Sequence, residues 1–148
     1  MKRYLLDVSA LLAFLDPSHV HHDSFHRWIE SKDGVRVILC AHVENAAIRI
    51  ASNPKYNNWL GTSAQVRAML IEFVEDFPVE RCTRDVSLCD DRLLILPELL
   101  TPARVSDLYL LALAVANGAA LATFDMRIPA EAVAGGPEAL ELIPVSLK

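Results

Sequence analysis

Residues 101–125 read TPARVSDLYLLALAVANGAALATFD. The first part is patterned as a helix: Thr101 fits an N-cap, Pro102 the first helical position and Gly118 the stop. From Val105 to Ala116 the segment is apolar nearly all round, which marks a buried helix. Ala119–Thr123 is then a short apolar run of strand length, and Asp125 follows it. A buried helix feeding a buried strand points to an α/β fold with a mainly parallel sheet.

The same alternation runs outward from this stretch. Arg3–Leu6 reads as a first strand, Ser9–Leu15 as an apolar helix, and His22–Ser31 as a helix with Phe25, Trp28 and Ile29 on one face. Val35–Leu39 is a β-branched strand; Ala41–Ala51 and Thr62–Asp76 are periodic helices. Pro78–Cys82 reads as a weak strand, Val86–Leu96 as a helix that Asp85 caps and Pro97 ends, and Leu140–Val145 as the last strand. No linker, repeat or low-complexity tract interrupts the order, so a single domain over residues 1–148 is expected.

Composition narrows the function classes. With 148 residues and 53% hydrophobic side chains the chain can bury a real core, and a mean hydropathy of +0.28 excludes disorder. Net charge is −5, from 14 basic and 19 acidic residues, which disfavours binding nucleic acid by blanketing phosphates. An acidic chain can still hold a divalent ion that meets the phosphate charge itself. The longest apolar stretch, Leu108–Ala116, falls well short of the ~20 residues of a membrane span. Met1–Leu6 starts like a signal peptide but Asp7 interrupts it, so a cytoplasmic protein is expected. Cys40, Cys82 and Cys89 form no C-x-x-C pair and read as small hydrophobes.

In parallel sheets, ligands sit beyond the carboxyl ends of the strands. Asp7 follows the first strand and Asp125 follows Ala119–Thr123. Glu44 lies in the early turns of the helix after Val35–Leu39, and Asp107 lies early in the helix opened by Thr101. All four acids map to one edge. Taken singly, each is explained by a turn or a helix cap. Four together repel one another, and no basic residue adjoins any of them in sequence, so the cluster calls for a cation. Carboxylates without a supporting Cys/His set favour Mg²⁺ or Mn²⁺, ions that activate water in phosphodiester cleavage.

The ordered set Leu5-Leu6-Asp7-Val8-Ser9-Ala10-Leu11-Leu12, Val43-Glu44-Asn45, Thr101–Ala114 and Ala122-Thr123-Phe124-Asp125 resembles the PIN-domain ribonucleases, specifically toxins of the VapC type. Ser52–Tyr56 and Asp85–Leu88 resemble one branch of the same family, so the likeness spans nearly the whole chain. The resemblance implies a three-layer α/β/α sandwich and Mg²⁺- or Mn²⁺-dependent endonucleolytic cleavage of cellular RNA. It also implies a VapB-type antitoxin partner and a homodimer. Carried over, Asp7, Glu44, Asp107 and Asp125 are the catalytic acids. Asp7 and Asp107 would touch the metal, with Glu44 and Asp125 reaching it through water. Many relatives carry Asn where this chain has Ser9, which is therefore assigned, with Thr123, to supporting hydrogen bonds.

Two further features stand outside that set. His22 and His26 share a helix face among four histidines in eight residues, but no acid or Cys completes a zinc set at ligand spacing. Ser52–Leu60 carries Lys55, Tyr56 and Trp59 and reads in three ways: an RNA-stacking loop, a partner or dimer surface, or a simple cover over the core. Among other α/β enzymes, a dehalogenase-like phosphatase needs an acid at Ser9, and a receiver domain needs a better-placed base than Arg127. Phosphate-binding glycine loops are absent from the sequence. The competing function from another class is a catalytically silent PIN-fold module that binds RNA or protein.

Overall fold

The computed structural model describes residues 2–145. Five strands, β1 (Arg3–Leu6), β2 (Arg36–Leu39), β3 (Val79–Arg81), β4 (Ala120–Thr123) and β5 (Leu140–Leu142), form one sheet in the order β3-β2-β1-β4-β5. Every neighbouring pair is parallel. The helices are α1 (Val8–Leu15), α2 (His22–Glu30), α3 (Ala41–Ala51), α4 (Ser63–Asp76) and α5 (Val105–Ala116). The chain steps outward from β1 to β3 and then crosses back to β4 on the other side of β1. Right-handed crossovers therefore put α1–α4 on one face and α5 on the other. The expected three-layer α/β/α sandwich is what forms.

The strand sequences follow from that position. Tyr4, Leu5 and Leu6 of β1, Val37, Ile38 and Leu39 of β2, and all of β4 are buried. A sheet covered on both faces needs continuous apolar runs rather than alternation. Strand order reverses between β1 and β4, and the crevice at their carboxyl ends is where a site forms. Asp7 sits at that crevice, its N–H bonded to the Ala122 carbonyl at 3.2 Å.

Two packing units hold the crevice walls. Phe14 of α1 meets Phe25, Phe73 and Phe77 at ring-centroid distances of 4.6, 4.4 and 5.0 Å, fixing α1 against α2 and the α4 end. At the far end of α5, Gly118 takes φ +63° and the Ala119 N–H reaches back to Ala114 at 2.9 Å, a Schellman stop. Buried Asn117 accepts from the N–H groups of Thr83 and Arg84 and donates to the carbonyls of Arg84 and Leu113. It fastens the segment leaving β3 to α5.

Three expectations from the sequence are corrected. Val86–Leu96 is not a helix. The Ser87 hydroxyl takes the Cys89 N–H and the Asp90 carboxylate takes the Arg92 N–H, so polar side chains compete for the backbone and produce turns. Leu94 then bridges antiparallel to Val133. Asp85 caps no helix; its carboxylate accepts from the Tyr109 hydroxyl at 3.1 Å. Thr101 makes no side-chain cap, because Pro102–Arg104 is a 3₁₀ turn and α5 begins at Val105.

Candidate active site

Asp7 is both the residue after β1 and the N-cap of α1. Its Oδ1 accepts from the Ala10 N–H at 2.8 Å and its Oδ2 from the Thr123 hydroxyl at 2.5 Å. The residue is 6% exposed. Burial pushes its pKa up to about 6; the Thr123 and Ala10 hydrogen bonds pull against that rise, and the Asp107 and Asp125 charges add to it. Thr123 accepts in turn from the Asp125 N–H at 3.1 Å, so one hydroxyl spaces two of the acids.

Asp107 stands in the first turn of α5 and Asp125 just past β4. Arg104 Nη1 joins them, 3.0 Å from Asp107 Oδ2 and 2.8 Å from Asp125 Oδ2. Burial works against ionising Asp125, but the bond from Arg104, then those from the Arg127 N–H and side chain, hold its pKa down at about 2. Neighbouring carboxylates with pKa values pushed apart are the mark of acid–base sites.

Asp7, Ser9, Asp107 and Asp125 line one cleft of about 620 Å³, together with His19, His21, Tyr56 and Arg127. Thr123 lies fully buried behind Asp7. Glu44 is not brought into that lining: its carboxylate is paired with Arg81 at the end of β3. Of the three loop residues singled out, Tyr56 reaches the cleft. Lys55 is exposed, and Trp59 is half exposed with its indole N–H on the Ser52 carbonyl.

Two residues in or beside this site were missed in the sequence. Arg104 supplies the cation that the acids require; it lies three residues before Asp107, one helical turn, so adjacency in sequence was the wrong test. Asp16, at the end of α1, is 1% exposed and accepts from Asn58 at 3.0 Å and from the Ser18 N–H at 2.9 Å. It pins the Ser52–Leu60 loop so that Tyr56 forms the cleft wall. Of the clustered histidines, His19 and His21 line the same cleft. His21 stacks on Phe124 at 4.6 Å, while His22 donates to the Ala13 carbonyl at 2.7 Å. Among the described residues no group of three Asp, Glu, His or Cys stands close enough to hold a metal ion as placed.

A PIN-domain family model matches residues 4–134. The chain belongs to the PIN-domain family. Within the family it is 36% identical to ribonuclease VapC44 of Mycobacterium tuberculosis over 137 residues, covering 90% of this chain and 93% of that one. It is 32% identical to ribonuclease VapC38 of the same organism, covering 84% and 86%. Two solved structures share the fold. VapBC2 from Rickettsia felis, bound to a DNA fragment from its promoter, aligns with a TM-score of 0.59 at 16% identity, over 86% of this chain and 93% of that one. Mycobacterium tuberculosis VapC20, a toxin cleaving the sarcin–ricin loop, aligns with 0.57 at 19% identity, over 88% and 96%. The match thus runs from β1 through β4 and includes Asp7, Glu44, Asp107 and Asp125; β5 lies beyond it. No helix among the described residues is long and apolar enough to cross a membrane.

Proposed function

We propose that the protein is a metal-dependent endoribonuclease, the toxin of a toxin–antitoxin pair, acting through Asp7, Asp107 and Asp125. The observation that carries this reading is three carboxylates converging at the β1/β4 switch point, one of them desolvated. The family match and the VapC ribonucleases support RNA as substrate and a VapB-type antitoxin as partner. A homodimer rests on the family resemblance alone.

The donor chemistry fits Mg²⁺ or Mn²⁺: hard carboxylate oxygens, with Ser9 and no thiol in the lining. Asp7 and Asp107 would hold the ion, with Asp125, and Glu44 once released from Arg81, acting through water. The ion would supply an activated water and charge stabilisation at the scissile phosphate. The chain's own residues do the rest. Thr123 and the α1 N-terminus fix the Asp7 carboxylate in the position from which it would hold the ion. Tyr56 and the His21–Phe124 stack offer flat surfaces to unpaired bases beside the acids.

Incubating the purified protein with total RNA and Mg²⁺ or Mn²⁺ tests the reading. Defined internal cuts that vanish with EDTA are expected. Cleavage undiminished by chelation would overturn the metal role, and intact RNA under all conditions would leave a silent binding module.

A further inference from the structure

The acids of the cleft are held by different means. Asp7 is met by uncharged donors, the Ala10 N–H and the Thr123 hydroxyl. Asp107 and Asp125 share one nitrogen, Arg104 Nη1, at 3.0 and 2.8 Å. The Arg104 side chain is 17% exposed, whereas Arg127, the other arginine on Asp125, is 80% exposed. The inner guanidinium is therefore shielded from solvent and salt, and the outer one is screened. One positively charged group spanning two carboxylates from different elements does what a divalent ion does there: it neutralises their repulsion and fixes their spacing.

We propose that Arg104 is the resident counter-cation of the cleft, and that a divalent metal binds by displacing it from Asp107 and Asp125. This rests on the metal reading above. While the guanidinium sits on both acids, Asp107 Oδ2 and Asp125 Oδ2 are not free to ligate. Arg104 cannot relieve this by losing its proton, since a guanidinium stays charged throughout the working pH range. Metal affinity is then reduced by the fraction of molecules in which the arginine has swung away. A latch open about a tenth of the time weakens apparent binding about tenfold.

The test measures Mn²⁺ binding to RNA-free protein by electron paramagnetic resonance of the free ion. The wild type is compared with Arg104→Gln and Arg104→Lys, each checked for folding by thermal melting in chelator. Arg104→Gln should bind Mn²⁺ roughly tenfold tighter. Arg104→Lys, with a shorter and more strongly hydrated cation, should fall between. Equal or weaker affinity in folded Arg104→Gln overturns the proposal and leaves the metal reading standing. If Arg104→Gln does not fold, Arg104→Lys decides: affinity above wild type supports displacement and equal affinity overturns it. No Mn²⁺ binding by any of the three overturns the proposal together with the metal reading.

Discussion

The Thr123 hydroxyl donates to Asp7 Oδ2 at 2.5 Å, joining residues 116 apart in sequence at the ends of adjacent parallel strands. The same oxygen accepts from the Asp125 N–H. Thr123→Val keeps the shape and removes both bonds. It should cost about 1–2 kcal/mol of stability and reduce RNA cleavage, while Thr123→Ser restores both. Chemical denaturation beside cleavage assays checks this; a Val variant with wild-type activity would show that the hydroxyl does not position Asp7.

Asp7 gives the metal-free protein a pH-dependent stability of defined sign. Its folded pKa of about 6 lies above the ordinary 3.8, because burial favours the neutral form. Its contribution is fully present below about pH 4 and is lost as pH rises through 6, a change of at most about 3 kcal/mol. Asn can still cap α1 and carries no charge. Melting curves in chelator should therefore show Asp7→Asn increasingly more stable than wild type between pH 4 and 7. Superimposable curves across that window would contradict the burial-driven shift. Excess Mn²⁺ should raise the wild-type melting temperature at pH 7 and leave Asp7→Asn nearly unmoved.

Asn117 is a structural position with no part in the chemistry. Its amide makes four hydrogen bonds, to Thr83, Arg84 (twice) and Leu113. Asn117→Ala leaves buried backbone groups unpaired, at a cost of about 2–4 kcal/mol. A melting temperature lowered by roughly 10 °C is expected, with metal affinity unchanged in the fraction that remains folded. A loss under 1 °C would show that water replaces the amide at no cost.

The sheet and its acids were legible because burial on both faces writes itself as apolar runs, and an acid ending such a run is conspicuous. Asp7 after Leu5-Leu6 and Asp107 inside Val105–Ala116 are of this kind. Val86–Leu96 misled because its apolar spacing is helical, while Ser87 and Asp90 spend their side chains on local backbone N–H groups. Glu44 lies in the first turn of the helix after β2, yet the sequence alone did not show that Arg81 would hold it. Arg104 and Asp16 were illegible for a common reason. Each earns its role from partners on another element, Asp125 for Arg104 and Asn58 for Asp16. Such pairings carry no periodic signal.

In the proposed function Asp107 and Asp7 form the reactive floor of a metal-dependent nuclease. Single-turnover cleavage of a susceptible RNA at saturating Mg²⁺ tests it, with Asp107→Asn and Asp125→Asn set beside wild type. Asp125 is held by Arg104 and Arg127 and would reach the ion through water, so its charge matters less directly than that of Asp107. Asp107→Asn should be folded and slower by about 10²–10³, and Asp125→Asn should lose less. A folded Asp107→Asn protein that cleaves at the wild-type rate would contradict the account.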